Sequence, residues 1–262
     1  MAQGWIEIIP RKGTFVVKEL PEIKPIRIGR GVDLEAYAGK AGFRIERGHT
    51  VHFPRASLHG PGNLILDDGL PDTRLAPIDL LIREYRSVSQ RAAFKKYLWY
   101  GGPRGAEHLL ETLSGFLNET RGIPITTENL LITRGAQMAF YLATLLIVKA
   151  GDNVIVGEPG YLTTTLTFHH AGATIHRVPV DDSGIDVDRI ESLCRKKTIR
   201  LVYVIPHHHY PTTVALTPDR RIRLLELAAR YRFAIIEDDY DYDFDYNSRR
   251  SFPWPVSTIM GM

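Results

Sequence analysis

Four short segments carry residues whose types and spacing can do chemistry. Each directly follows a short apolar run. Leu130–Ile132 leads into Thr133-Arg134-Gly135-Ala136-Gln137. Gly135 permits a tight turn, and the backbone N–H groups of Ala136 and Gln137 would then face an anion at a helix start. The same residues also suit an ordinary strand-to-helix turn. Val154–Val156 leads into Gly157-Glu158-Pro159-Gly160-Tyr161, a turn that presents an aromatic ring. Tyr161 either stacks on a planar ligand or packs. Leu201–Ile205 leads into Pro206-His207-His208-His209-Tyr210-Pro211-Thr212-Thr213. Three adjacent histidines suggest a metal, but successive side chains of an extended segment point to opposite faces and chelate one ion poorly. Phe233–Ile236 leads into Glu237-Asp238-Asp239-Tyr240-Asp241-Tyr242-Asp243-Phe244-Asp245. This row lacks the spacing and central glycine of an EF-hand calcium loop. One carboxylate at a strand's end can instead hold a protonated heterocyclic nitrogen. The other acids then form a solvated row that protects the sheet edge.

The elements that must position these groups follow from periodicity. Apolar positions at helical spacing fall at Leu109, Leu110, Leu113, Phe116 and Leu117, and again at Ala136, Ala139, Phe140, Ala143 and Leu146. Further helices are expected at 162–170, 187–195 and 218–231, the last with Pro218 near its first turn. Strands are expected at 130–132, 154–156, 174–178, 201–205 and 233–236, apolar throughout rather than alternating. Such strands, alternating with amphipathic helices, predict an α/β fold: a mostly parallel sheet with helices on both faces. In such sheets ligands bind beyond the carboxyl ends of the strands. A phosphate at Gly135, a stacking ring at Tyr161, an acid at Asp238 and a phenol at Tyr240 together describe pyridoxal 5′-phosphate.

Composition excludes several other classes. At 44% hydrophobic and 24% charged, the chain is an ordinary globular protein and not a disordered one. Apolar runs such as 143–148 fall far short of the ~20 residues that cross a bilayer. No signal peptide is visible, and the single Cys194 cannot form an internal disulfide, so a cytoplasmic location and no membrane association are expected. The net charge of +3 is too small to indicate nucleic-acid binding, and Arg195-Lys196-Lys197 is expected to be a solvated helix end. A nicotinamide enzyme would need G-x-G-x-x-G after an early strand, and none occurs. A metal hydrolase built from the histidine run and the acids is the remaining enzymatic alternative. Residues 5–17 predict a β-hairpin turning at Pro10–Gly13, and residues 18–65, rich in Gly and Pro, predict a linker or extended arm.

The order TRGAQ, GEPGY, HHHYPTT, IIEDDYD resembles the fold type I aminotransferases. It is most similar to the aminotransferase-like domain of MocR-type regulators within the GntR family. The segments GLPDTRLAP at 69–77 and YGGPRGAEHLLETLSGFLNETRGI at 100–123 extend the resemblance, and GWIEIIPRKGTFVV at 4–17 resembles the wing of a winged helix-turn-helix. The resemblance implies residues 1–17 as a remnant of that DNA-binding domain, 18–65 as linker, and 66–262 as part of the large domain. It implies Asp238 on the pyridine nitrogen, Tyr240 on the ring's phenolic oxygen and Tyr161 stacked on the ring. The Gly135 turn, with the Ala136 and Gln137 amides, would hold the phosphate, and Tyr100 would reach the phosphate of the neighbouring subunit in a homodimer. An amino acid or amine would be substrate or effector, and DNA would be met only through a preceding domain. Thr213 stands where the family usually has glycine, His207 where it has a small polar residue, and Gly102 where aspartate is more frequent.

The resemblance also implies a lysine that bonds the cofactor as a Schiff base, in a Ser-x-x-Lys segment downstream of the acids. No lysine follows Lys197. The expectation is therefore a chain truncated at both ends, able to bind the cofactor but catalytically incomplete. Two strands expected beside residues 130–132 would then be missing, leaving unpaired edges and poor solubility. Two readings carry forward: an aminotransferase-like domain, and a ligand-sensing regulator whose cofactor domain does not turn over substrate.

Overall fold

The computed structural model describes residues 5–18 and 73–242. The chain divides into two units, residues 1–65 and 66–262, each taken by itself.

In the first unit, β1 (Ile6–Ile9) pairs antiparallel with β2 (Gly13–Val16), in a register that sets Ile6 opposite Val16 and Ile9 opposite Gly13. The turn closes through the Lys12 N–H on the Ile9 carbonyl at 3.0 Å. Gly13, at φ +114°, supplies a backbone angle that a side chain would resist. This is the expected hairpin. The expected linker lies almost wholly outside the described residues.

The second unit opens with α1 (Ile78–Ser89) and α2 (Glu107–Arg121). It continues through α3 (Ala136–Ile147), β3 (Asn153–Glu158), α4 (Leu162–His170), β4 (Thr174–Asp181) and β5 (Gly184–Ile185). It ends with α5 (Val187–Cys194), β6 (Ile199–Val204), α6 (Pro218–Tyr231) and β7 (Ala234–Glu237). The sheet order is β5-β4-β3-β6-β7. All neighbours are parallel except β5, which runs against β4.

Strand alternation assigns the two faces. Val154, Val156, Leu201, Tyr203 and Ile205 point one way and pack with Phe140 of α3 and Phe168 of α4. Ile155, Val178, Val202 and Val204 point the other way, onto Ile190 of α5 and Leu224 and Leu227 of α6. Both faces are covered, which is why the strands are apolar throughout. Fully burying each such side chain contributes about 1.5–3 kcal/mol. Local signals set the helix ends. The Asp186 side chain accepts from the Arg189 N–H to start α5, and Gly122 at φ +61° ends α2.

The strand expected at Leu130–Ile132 is not formed. Thr127–Asn129 is a single 3₁₀ turn with a reciprocal Thr126–Asn129 cap, and the Ile132 N–H goes to the Arg104 carbonyl at 2.8 Å. A strand exists only by pairing, and no strand among the described residues lies alongside it. Sequence periodicity also missed α1, whose Leu80, Leu81 and Ile82 are exposed, and the two-residue β5. The basic triplet after α5 is exposed, as expected.

Gly157, near the end of β3, is a close approach of backbone to side chain. A Cβ there would lie 2.7 Å from His209 Cε1 and 2.9 Å from Val180 Cγ2. His209 cannot swing away, because it is buried and its Nε2 hydrogen-bonds the Pro159 carbonyl at 2.7 Å. Gly157→Ala is expected to cost about 1–3 kcal/mol of stability, the usual penalty of overpacking, measured by urea unfolding. An unchanged midpoint would contradict this packing.

Candidate functional site

Asp238 sits one residue beyond β7. Its N–H donates to the Val204 carbonyl at 2.9 Å, so strand pairing extends to it and fixes its backbone. Ile236 pairs with Tyr203, and Asp238, two residues on, shares their face of the sheet. There its Oδ2 accepts a hydrogen bond from the Tyr203 hydroxyl at 2.7 Å. The Tyr203 ring is held edge-on by Phe140 (centroids 5.7 Å, 85°) and Phe168 (6.0 Å, 65°). Burial pushes the Asp238 carboxyl up from its ordinary value. The Tyr203 hydrogen bond pulls it down, and the charges of Asp239 and Asp241 push it up further.

Tyr161 precedes α4 and belongs to the same face, its ring edge-on to Tyr210 at 5.5 Å. Gly135 precedes α3 at φ +79°, ψ 169°, a conformation that favours glycine. With no side chain at that cap, the first-turn amides of Ala136 and Gln137 are left uncapped. The direction of α3 is fixed at its other end, where Arg200, early in β6, donates to the Ile147 carbonyl at 2.6 Å. The N-terminus of α3 therefore lies towards the carboxyl ends of the strands. Phe140, about one helical turn from Ala136, touches Tyr203. Gly135, Ala136, Gln137, Tyr161 and Asp238 thus belong to one face of the sheet, at one end. Tyr240 is tied elsewhere: its hydroxyl donates to the His208 carbonyl at 3.0 Å and its side chain is 58% exposed. Tyr100 is fully exposed.

Among the described residues, Asp239 and Asp241 are not part of a solvated row, so that expectation is corrected for them. Asp239 accepts from Arg121 Nη1 at 3.0 Å and lies 2.8 Å from His207 Nδ1, with only 18% of its side chain exposed. The Arg121 guanidinium sits 4.0 Å over the Tyr242 ring, and His207 meets that ring edge-on at 4.9 Å. Asp241 lies 2.7 Å from His208 Nδ1. Charged groups this poorly solvated are retained by pairing. Asp243 and Asp245 lie outside the described residues. The three histidines thus reach three different partners, Asp239, Asp241 and the Pro159 carbonyl. His207, Glu237 and Asp239 do bring one ligand atom each within 4.8 Å, but Arg121 already supplies the positive charge at Asp239. No sequence signal exposes this network, because Arg121 and Asp239 are 118 residues apart. Thr213, at the position where the resemblance implies glycine, adopts φ +61°, the left-handed region that suits glycine.

A family model for aminotransferase class I and II matches residues 69–253. The chain belongs to that family. Aromatic-amino-acid aminotransferase 1 of Thermococcus litoralis is 31% identical over 179 residues, 66% of this chain and 43% of that protein. The probable rhizopine catabolism regulatory protein MocR of Rhizobium meliloti is 24% identical over 268 residues, 100% of this chain and 50% of that protein. Among solved structures, an archaeal alanine:glyoxylate aminotransferase superposes with a TM-score of 0.65 at 31% identity, over 71% of this chain and 47% of that one. Pyrococcus horikoshii kynurenine aminotransferase, solved in complex with PMP, gives a TM-score of 0.61 at 32% identity, over 65% and 43%. The chain spans about half the length of the curated relatives it matches. Its fold is that of the fold type I aminotransferases, and its relatives include both enzymes and regulators.

Glu237, the last residue of β7, has its carboxyl pushed up to about 7, chiefly by burial and then by Asp239, against the pull of Arg221 and Arg121. Its folded value lies above the unfolded 4.5, so the native state binds this proton more tightly. Stability therefore falls as pH rises from the unfolded value to about 7. Glu237→Gln is expected to abolish that fall, raising Tm at pH 8 and leaving it unchanged at pH 4. Equal Tm values at pH 8 would contradict the assignment.

Proposed function

We propose that this chain carries the pyridoxal 5′-phosphate-binding part of an aminotransferase-like domain. The observation that carries the reading is the desolvated Asp238 carboxylate, one oxygen committed to Tyr203, on the face shared by Tyr161 and the uncapped start of α3. The donor set fits the group. Asp238 holds the proton on the ring nitrogen, since a buried carboxylate beside a cation regains the charge its burial opposes. Tyr161 stacks on the ring and excludes water from one side. The Ala136 and Gln137 amides bind the phosphate, helped by the positive end of the α3 dipole. Tyr240 donates to the phenolic oxygen once its hydroxyl leaves the His208 carbonyl. Tyr100, exposed here, meets the phosphate of a second copy in a homodimer. When bound, the cofactor supplies an electron sink to an amino acid or amine.

One observation favours a regulatory setting over a purely metabolic one. The MocR relative aligns with all of this chain, and the YdfD regulator of Bacillus subtilis, 25% identical, with 99% of it. The β1–β2 hairpin falls within those alignments and serves as the wing of a DNA-binding domain, with residues 18–65 as linker. The amino acid or amine is then an effector, read in the cytoplasm by a dimer that meets DNA through its winged domain. Among the described residues no helix is long and apolar enough to cross a membrane.

Titration with pyridoxal 5′-phosphate, followed by its absorbance, tests the cofactor reading. Saturable binding is expected, weakened about tenfold or more by Asp238→Asn, the scale of one hydrogen bond to a charged group. Equal affinity in the variant, or no saturable binding, would overturn the reading.

A further inference from the structure

Tyr203 is not among the groups that would touch the cofactor, yet it touches the one that matters most. Its side chain is buried in the sheet, 3% exposed, and both neighbouring helices hold its ring edge-on through Phe140 and Phe168. A buried tyrosine hydroxyl needs a partner, and this one donates to Asp238 Oδ2 at 2.7 Å. Burial and the adjacent Asp238 charge both raise the energy of a tyrosinate, so the hydroxyl keeps its proton and stays the donor.

The carboxylate gains two things from this bond. The first is geometry. The Asp238 N–H on Val204 fixes the backbone, and the Tyr203 bond fixes the side-chain torsions. One carboxylate oxygen is then committed, and the other is available to a ligand. The second is charge. Burial and the Asp239 and Asp241 charges all favour a neutral acid, and Tyr203 is the neighbour that favours the anion. A neutral acid cannot keep a pyridine nitrogen protonated.

We propose that Tyr203 is a positioning residue for the cofactor's ring nitrogen, its buried hydroxyl orienting the Asp238 carboxylate to receive that group. This rests on the cofactor reading above. It goes beyond a packing role, because Tyr203→Phe keeps the ring between Phe140 and Phe168 and removes only the hydroxyl.

The test uses the 262-residue chain and two probes: pyridoxal 5′-phosphate, and its 1-deaza analogue, in which a C–H replaces the ring nitrogen. Tyr203→Phe is expected to bind pyridoxal 5′-phosphate about tenfold more weakly, the effect of removing one hydrogen bond to a charged group. Its affinity for the analogue should match the parent's. Without ligand, the Asp238 carboxyl carbon followed by NMR should titrate at a higher pH in the variant. An unchanged affinity for pyridoxal 5′-phosphate, an equal loss for both probes, or an unchanged Asp238 titration overturns the proposal. Asp238→Asn separates the two failures. If it abolishes the parent's preference for pyridoxal 5′-phosphate over the analogue while Tyr203→Phe does not, the cofactor reading stands and the role of Tyr203 falls. If the parent shows no preference between the probes, the reading falls and takes this inference with it.

Discussion

A carboxylate held partly out of water at the end of a parallel strand is the constraint on which the rest of this site depends. Asp238 is drawn in by strand pairing through its N–H and held in place by the Tyr203 hydroxyl. Desolvation makes its charge costly, and that cost is what a protonated ring nitrogen would relieve. The neighbouring elements serve this arrangement. Phe140 and Phe168 fix the tyrosine from α3 and α4, and the same two helices carry the uncapped amides and Tyr161 at their starts. The helices that build the core are thus the helices that place the groups proposed to hold the cofactor.

A second network steadies the segment that carries Asp238. Asp239 binds Arg121 at the end of α2 and His207 beyond β6, and Tyr242 covers both partners. Successive acids are therefore divided between two tasks. Asp238 faces the side of the sheet where a ligand can stack, and Asp239 ties the strand's end to α2. His207 takes part in that tie.

The parallel α/β core was legible in the sequence because its strands are covered on both faces and so carry unbroken apolar runs. Helices 162–170 and 218–231 were legible to the residue, the second with Pro218 at its first turn. Leu130–Ile132 was misread because an apolar run shows propensity but not a pairing partner. The Asp239–Arg121–His207 cluster was invisible because its members are joined only by the folded topology. Asp238 and Tyr161 were singled out because ligands of an open α/β sheet bind beyond the carboxyl ends of its strands, and Gly135 because it permits a tight turn at a helix start. Tyr203 was not, since inside a strand it looks like any other core aromatic.

The central claim is that Asp238 holds a proton on the cofactor's ring nitrogen. The most direct measurement is the ¹⁵N NMR shift of ring-labelled pyridoxal 5′-phosphate, followed for the bound and the unbound cofactor as pH is raised from neutral. The account predicts that the bound ring keeps the shift of a protonated pyridinium at a pH where the unbound cofactor already shows that of the neutral ring. The shift of a neutral pyridine, in ligand shown to be bound, would contradict it.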